Sequence, residues 1–345
     1  MPPNDNLPRV VLGTMTFGAE VKHDLSVTRV GGAENVEPFL QLFHSHGHVE
    51  IDTARVYGSG STEKVLGELP TAHLKISTKA WPFEGGSFNK ENLAAQLRQS
   101  LKTLNATKVD IFYLHAPESS TPLDVTAKAI NDLYKEGLFE RFGLSNFFSW
   151  QVASMYEICK QNDYVLPTVC QAMYNPVSRS VVTELLPCLK QFNISFYAYH
   201  PVAGGLLTGK YKFDKGVTEE GQRFDPKTGS GKHFRDRFWN QLTFDGLDIL
   251  EKAAAKKQIT LLEATLRWMR HHGGLDAKDG IIIGASSLKN LEENLNDLDK
   301  GPLDQSMVEA FDEAWEKIKP VSQYYAKHQT LKFPPHVVKL FMGQM

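Results

Sequence analysis

Eight short apolar segments, distributed along the whole chain, restrict the fold more than any other feature of this sequence. They are rich in β-branched residues, and several are almost continuously apolar, such as Val109-Asp110-Ile111-Phe112-Tyr113-Leu114. Runs of this kind are typical of parallel strands that are buried on both faces. The predicted strands cover residues 9–12, 49–52, 74–79, 109–115, 142–145, 168–173, 194–200 and 280–284.

Segments with apolar residues at helical spacing lie between these strands, so strand and helix alternate along the chain. The clearest predicted helices are 92–104, 121–136, 151–161, 183–192, 244–256 and 260–271. Eight such units close naturally into a barrel, whereas a doubly wound sheet normally has fewer strands and a glycine-rich phosphate turn, which is absent here. The sequence therefore predicts an α/β protein with one (β/α)8 TIM barrel at about residues 8–320, in a single domain that spans residues 1–345.

Two segments are predicted to lie outside the regular strand and helix pattern. Residues 211–240 follow the seventh predicted strand and make a connection too long for a simple turn. From 210 to 240 there are eight Lys or Arg against five Asp or Glu, which fits either a lid that closes over phosphate or a solvated surface loop. Residues 321–345 predict an irregular C-terminal tail with a short apolar end.

Charge and composition indicate a small-molecule substrate rather than a nucleic acid or a membrane as partner. The formal net charge is -2, and the positive residues are scattered along the chain. The first residues lack the apolar stretch of a signal peptide, and no apolar run is long enough to cross a bilayer. Three cysteines without CxxC spacing fit a reducing compartment. We therefore expect a cytoplasmic protein, and the sequence leaves a monomer and a homodimer open.

Four polar residues stand at or just after predicted strands, where the active site of such a barrel lies. Asp52 ends the second strand, Tyr57 follows it, Lys79 ends the third strand and His115 ends the fourth. Each alone has a simpler explanation, as a turn cap, a packing ring, a solvated lysine or a structural histidine. Together they make a proton-transfer set, in which we expect Lys79 to lower the pKa of the Tyr57 phenol and Asp52 to compensate the Lys79 charge.

These residues lie within segments that resemble the aldo-keto reductase superfamily, in the same order along the chain. The segments that carry the resemblance are 50–58, 77–79, 114–117 and 143–146. Residues 199–211, 237–239 and 284–287 resemble more specifically the aflatoxin-aldehyde and succinic-semialdehyde reductase branch. The resemblance implies a carbonyl reductase that uses NADPH without a Rossmann turn, with Asp52, Tyr57, Lys79 and His115 as its catalytic residues.

The resemblance also implies which residues hold the cofactor. Ser145, Asn146 and Gln171 would hydrogen-bond the nicotinamide carboxamide, and Tyr199 would pack on its ring. The remaining implied contacts run from the phosphates to the adenosine end and comprise Pro201, Leu206, Gly209, Lys210, Arg223, Gly284, Ser286, Ser287, Asn290, Glu293 and Asn294.

Two positions depart from this branch. His200 stands where an asparagine is usual, and Ala326 follows Tyr324-Tyr325 where an arginine follows a Tyr-Phe pair. That arginine pairs with the carboxylate of short acid-aldehydes, so its absence favours aromatic or bulky carbonyls and dicarbonyls unless the adjacent Lys327 substitutes for it. The apolar residues predicted around the substrate are Met15, Phe17, Trp81 and Phe147, each of which could equally belong to the packing of the barrel.

Two other functions compete with this interpretation. Histidines 44, 46 and 48 could suggest a metal-dependent hydrolase, but they precede the second strand, and a helix end with its favourable cations is the better explanation. Related barrels also serve as non-catalytic NADPH-binding subunits of membrane channels. The four filled catalytic positions favour an enzyme over such a subunit.

Overall fold

The computed structural model describes residues 6–19, 28–82, 87–215 and 223–326. Eight parallel strands form a closed barrel in sequential order, and β8 closes it by pairing with β1. The strands are β1 (Arg9–Gly13), β2 (Glu50–Asp52), β3 (Lys75–Ala80), β4 (Val109–Leu114), β5 (Phe139–Ser145), β6 (Pro167–Met173), β7 (Ser195–Tyr199) and β8 (Gly280–Ile283). The predicted (β/α)8 TIM barrel is therefore confirmed.

Helices surround the barrel and bury one face against it. Those among the described residues are α1 (Ala33–Ser45), α2 (Ser61–Gly67), α3 (Lys90–Thr103), α4 (Leu123–Lys135), α5 (Ser149–Gln161), α6 (Leu185–Gln191), α7 (Gly229–Phe238), α8 (Gln241–Lys256), α9 (Leu261–His271), α10 (Leu288–Leu298) and α11 (Gln305–Ile318). Between the helices and the strands lies one large apolar core. No helix among the described residues is long and apolar enough to cross a membrane.

The barrel interior below the carboxyl ends of the strands is filled by side chains. An apolar layer consists of Val11, Ile111, Tyr113, Val169, Tyr197 and Ile282. Under it, charged groups close the amino-terminal end, which we call the barrel floor: Arg9, Glu50, Asp110 and Arg141 with the Tyr197 hydroxyl. Arg141 contacts the carboxylates of both Asp110 and Glu50, at 2.6 and 3.1 Å. The amino-terminal end of the barrel is therefore occupied by paired charged side chains.

The fifth strand begins at Phe139, earlier than the predicted start at 142. The polar residues Glu140 and Arg141 interrupt the apolar run, so the run alone does not indicate a strand that begins at Phe139. Arg141 nevertheless belongs to the strand, since its guanidinium is neutralised at the barrel floor.

The long connection after β7 is not entirely a loop, because helix α7 occupies 229–238. The side chain of Thr228 caps this helix by accepting from the Gly231 amide, and Phe234 and Phe238, four residues apart, are buried. Two glycines in its first turn conceal it in the sequence, yet Gly231 is required because a β-carbon there would overlap the backbone of Asp225. Residues 216–222 of the connection and 327–345 of the predicted tail lie outside the described residues.

The three histidines at 44, 46 and 48 lie at the floor side, as predicted. Helix α1 has His44 in its last turn, and His48 precedes β2. Among the described residues, no group of three His, Cys, Asp or Glu side chains is arranged to hold a metal ion.

Candidate active site

The strand order brings four polar side chains to one side of the barrel mouth. Asp52 is the last residue of β2, Lys79 is the next-to-last residue of β3, and His115 directly follows β4. Tyr57 begins a short 3-10 turn, Tyr57–Gly60, in the connection from β2 to α2. We call Asp52, Tyr57, Lys79 and His115 the polar quartet; the structure brings all four together as predicted.

A buried ion pair forms the base of the quartet. The Lys79 ammonium donates to Asp52 Oδ2 at 2.7 Å and to the Thr53 carbonyl at 2.8 Å. The second oxygen of Asp52 accepts from Gln171 Nε2 at 2.8 Å. Both charged side chains are nearly inaccessible, at 0% and 5% exposure. Because each carboxylate oxygen is held, Asp52 fixes the position of the ammonium.

Tyr57 and His115 lie above this pair with their rings edge to face. The ring centroids are 5.8 Å apart, and the indole of Trp81 contacts the other side of His115 at 4.8 Å. The Lys79 ammonium lies 5.1 Å from the centroid of the Tyr57 ring. Nδ1 of His115 is buried without a hydrogen-bond partner among the described residues. The imidazole is therefore held by ring packing between Tyr57 and Trp81.

The electrostatics of the quartet differ in one respect from the sequence-based expectation. Burial raises the pKa of Tyr57 well above 10, and the Asp52 charge and Tyr199 add to the rise. The expected lowering by Lys79 is wrong for this structure, because the ammonium faces the Tyr57 ring and directs its hydrogen bonds to Asp52 and Thr53. Tyr57 is consequently a protonated phenol throughout the neutral pH range.

The other two titratable groups of the quartet are also shifted by burial. Desolvation lowers the pKa of His115 well below 6.5, and the Lys79 charge lowers it further, so the imidazole is neutral. Desolvation lowers the pKa of Lys79, and the Asp52 carboxylate opposes that effect. A neutral imidazole carries one N–H and can donate a hydrogen bond.

An amide network joins the quartet to the ends of β5, β6 and β7. Asn146, with a positive φ of 62°, donates from Nδ2 to the His115 carbonyl at 2.9 Å and to Ser145 Oγ at 3.1 Å. The Tyr199 hydroxyl donates to Asn146 Oδ1 at 2.7 Å. Residues Ser145, Asn146, Gln171 and Tyr199, predicted to contact one ring of a cofactor, are thus adjacent.

The sequence model of the aldo/keto reductase family matches residues 9–316. The chain belongs to the aldo/keto reductase family. Aflatoxin B1 aldehyde reductase member 2 of Mus musculus is 43% identical to it over 324 residues, which are 90% of this chain and 85% of that protein. Aldo-keto reductase family 7 member A3 of Homo sapiens is 42% identical, over 89% of this chain and 94% of that protein. The resemblance noted in the sequence is confirmed.

A more distant relative is aldo-keto reductase pigE of Monascus ruber, 36% identical over 92% of this chain and 96% of that protein. The whole barrel is therefore shared with enzymes of the family. This aldo/keto reductase is an oxidoreductase, and its family works with a nicotinamide cofactor.

The aldo/keto reductase has two unpaired cations beside the predicted phosphate turn. Arg223 lies over the Phe234 ring at 5.1 Å, and Arg237 donates to Met173 Sδ at 2.9 Å; neither has a carboxylate partner among the described residues. Burial and the Arg29 charge lower the pKa of Arg223 to about 10. Partly buried cations without a carboxylate partner favour binding of an anion.

Between these arginines lies His200, the first departure from the branch. Its φ of 55° is in the left-handed region, which an asparagine tolerates more readily, and its Nδ1 is buried without a hydrogen-bond partner among the described residues. Burial and the charges of Arg223 and Arg237 lower its pKa well below 6.5. A neutral histidine here adds no charge to that of Arg223, Arg237 and Arg29.

The adenosine contacts predicted for the aldo/keto reductase gather at the start of α10, directly beyond β8. Ser287 caps the helix by accepting from the Asn290 amide, and Asn290 Nδ2 donates to Ser286 Oγ at 3.1 Å. Glu293 pairs with Lys289 on the exposed face, and Asn294 is buried. A helix amino terminus flanked by serine hydroxyls favours a phosphate group.

The four predicted substrate residues are not equally placed. Trp81 contacts His115, and Met15 is partly exposed. Phe17 packs edge-on against Phe39 and is fully buried, and Phe147 is 1% exposed, so both belong to the core around the barrel. Trp81 is therefore the strongest candidate among the four for contact with a substrate.

The end of the described chain packs next to the site. The Tyr325 hydroxyl accepts from the Ser149 amide at 3.0 Å, at the start of α5, and the Tyr324 hydroxyl donates to Glu184 at 3.0 Å. Ala326 is 4% exposed. The second departure from the branch thus lies on a segment that is fixed beside the loop carrying Asn146, while Lys327 lies outside the described residues.

Sequence reasoning missed a buried pair that holds the Tyr57 turn. Arg55 contacts Glu63 at 3.3 Å, and Thr78 Oγ1 donates to Glu63 Oε1 at 2.7 Å. A β-carbon on Gly60 would overlap the Arg55 guanidinium, which shows how closely the cation packs against the turn. The sequence signal for this pair was the opposite charge of Arg55 and Glu63 within one short segment, next to the strand that carries Lys79.

Proposed function

We propose that this aldo/keto reductase catalyses the NADPH-dependent reduction of aldehydes and ketones to alcohols. The observation that carries the proposal is a buried, protonated Tyr57 next to a lysine–carboxylate pair and a neutral histidine. A phenol and an imidazole N–H at one place can bind a carbonyl oxygen as it gains negative charge. The names of the mouse and human relatives, aldehyde or aldo-keto reductases, agree with this chemistry.

In the proposed mechanism Tyr57 and His115 hold the carbonyl oxygen of the substrate. When bound, NADPH supplies the hydride from its nicotinamide ring. Tyr57 donates its proton to the oxygen as charge develops there, and Lys79 stabilises the phenolate that remains. Asp52 keeps the ammonium in position through the 2.7 Å contact. The high pKa of Tyr57 keeps the acid loaded before the substrate arrives.

The residues present fit NADPH. The two unpaired arginines, Arg223 and Arg237, match its phosphates in charge, and the start of α10 offers hydroxyls and a helix terminus. Ser145, Asn146, Gln171 and Tyr199 would hold the nicotinamide. The wider set proposed for the phosphates and adenosine is Pro201, Leu206, Gly209, Lys210, Arg223, Gly284, Ser286, Ser287, Asn290, Glu293 and Asn294. A cytoplasmic location and a homodimer stay predictions from the sequence.

We expect NADPH to bind more tightly than NADH. Lys210, Arg223 and the hydroxyls of Ser286 and Ser287 supply charge and donors for a 2′-phosphate, and one charge-assisted contact contributes about 1.5 to 3 kcal/mol, or about tenfold to somewhat over a hundredfold in affinity. Fluorescence titration of the purified protein with both cofactors measures the ratio. Lys252→Ala, which removes an exposed lysine of α8, is the control and should leave the ratio unchanged. Equal affinities for the two cofactors would contradict the expectation.

Aromatic aldehydes are expected to be reduced with a higher kcat/KM than succinic semialdehyde. Ala326 offers no charge to a substrate carboxylate, and loss of such a contact costs the acid substrate about 1.5 to 3 kcal/mol. NADPH oxidation with 4-nitrobenzaldehyde and with succinic semialdehyde tests both the reaction and the preference. Ala326→Arg should improve the semialdehyde, whereas Ala326→Leu, which adds size without charge, should not.

Two results of the same assay would contradict the proposed activity or the proposed substrate preference. Binding of NADPH without oxidation by any carbonyl would favour the non-catalytic regulatory subunit. A wild type that already prefers succinic semialdehyde, unaltered by Ala326→Arg, would show that another cation, such as Arg237, recognises the carboxylate.

A further inference from the structure

The surroundings of the Lys79 ammonium contain an aromatic ring that the proposed mechanism does not use. An ammonium has three N–H donors, and here two of them bind Asp52 and the Thr53 carbonyl. Among the described residues no acceptor is within hydrogen-bond distance of the third. The ammonium lies instead 5.1 Å from the ring centroid of Tyr57 and 5.5 Å from that of Tyr113.

Tyr113 is fixed in the barrel interior by packing. It is 0% exposed and belongs to the apolar layer between the quartet and the barrel floor. A β-carbon on Gly143, the neighbouring position on β5, would overlap its ring, so the glycine makes room for the ring. The Tyr113 hydroxyl is buried without a hydrogen-bond partner among the described residues. What this side chain presents to Lys79 is therefore a ring that packing holds in place.

A ring face attracts a cation, and the attraction is strongest where water is excluded. Lys79 is such a cation, because its side chain is fully buried and, within the part of the chain that the structure describes, Asp52 is the one carboxylate that contacts it. Resting on the proposed function, we propose that Tyr113 is a positioning residue: its ring keeps the Lys79 ammonium protonated and in place next to Tyr57. The hydroxyl of Tyr113 has no part in this role.

Lys79 is the group whose protonation the Tyr113 ring is proposed to affect, and its charged and titratable neighbours act on it as well. Those that act on or contact Lys79 are Asp52 on β2, Tyr57 in the turn after it, Glu63 on α2, Tyr113 on β4 and His115 after β4. Burial raises the pKa of Tyr57 and lowers that of Lys79. We therefore assign the first proton lost from this coupled pair at alkaline pH to Lys79.

The experiment replaces the Tyr113 ring without changing its shape. Tyr113→Phe is compared with variants that carry phenylalanine with increasing numbers of ring fluorines, which weaken the attraction of the ring face for a cation. The pH dependence of kcat for 4-nitrobenzaldehyde is measured for each full-length protein with saturating NADPH. Tyr113→Leu removes the ring, and Tyr113→Met fills the space with a flexible apolar chain if the leucine variant does not fold.

We expect Tyr113→Phe to retain the wild-type fall of kcat at alkaline pH, the alkaline limb of the pH profile. The fluorinated rings should lower its apparent pKa stepwise, and Tyr113→Leu or Tyr113→Met should lower it by about one pH unit, since a desolvated cation–π contact has about that effect on the charged form. NADPH affinity should stay constant throughout. The inference is overturned if the apparent pKa of the alkaline limb is the same across the fluorinated series, or if it shifts in Tyr113→Phe.

These outcomes are separate from a failure of the proposed function. If Tyr57 is not the acid, replacing it leaves turnover intact whatever the Tyr113 variants do. If Tyr57 is the acid and the apparent pKa of the alkaline limb does not depend on the ring at 113, only the role of Tyr113 is wrong.

Discussion

Replacing Tyr57 by phenylalanine should lower kcat for carbonyl reduction by about 10²- to 10⁴-fold, the usual contribution of a general acid. Phenylalanine keeps the ring that contacts His115 and the Lys79 ammonium, and it removes only the proton to be donated. NADPH affinity should remain close to that of the wild type, because the proposed cofactor contacts do not include this hydroxyl.

Single-turnover kinetics and a fluorescence titration of the variant separate the two effects. The matched control is Tyr174→Phe, which removes another buried phenol whose hydroxyl donates to the Gly273 carbonyl, outside the quartet. That control should retain turnover within a few-fold of the wild type. Near-normal turnover in Tyr57→Phe would remove Tyr57 from the mechanism and with it the assignment of the quartet.

The second large effect is on stability: Glu63→Ala should lower the free energy of unfolding by about 3 to 5 kcal/mol, because it leaves Arg55 as a buried cation without its partner. The side chains of Arg55 and Glu63 are 6% and 0% exposed. Burial raises the pKa of Glu63 even though Thr78 and Arg55 oppose the rise, so desolvation is not fully offset. Such a pair adds little net stability, yet breaking it is costly.

Urea unfolding at neutral pH measures this loss. Asp248→Ala is the control, since it breaks an exposed pair with Lys252 on α8 and should change the unfolding free energy by no more than about 0.5 kcal/mol. Glu63→Ala should also reduce kcat, because Arg55 packs against Gly60 in the turn that begins with Tyr57. Equal stability losses in the two variants would show that the buried pair does not matter.

The barrel and the quartet were predictable because both follow from local patterns. Apolar runs identify β4 and β6 with nearly correct bounds, and polar residues at the ends of such runs identify Asp52 and His115. The start of β5 was not predictable in this way, because Arg141 interrupts the apolar run and its partners at the floor come from other strands. Neither was α7, whose Gly231 satisfies a close contact with Asp225 rather than a helical preference.

Properties that depend on the orientation of side chains were beyond the sequence. A lysine near a tyrosine suggests a lowered phenol pKa, whereas here the ammonium meets the ring and burial raises the pKa of Tyr57. The sequence likewise left Phe17 and Phe147 open between substrate contact and barrel packing, and their rings belong to the core.

The charged floor of the barrel bears on how a substrate reaches the polar quartet. Paired side chains of Arg9, Glu50, Asp110 and Arg141, with the Tyr197 hydroxyl, occupy one end of the barrel, so under the proposed function a carbonyl enters and its alcohol leaves at the end that carries the polar quartet. A long substrate must then arrive with its carbonyl group first and leave its remainder among the rim loops. Under the proposed function, selection among aldehydes is made by those loops and by the segment ending at Ala326.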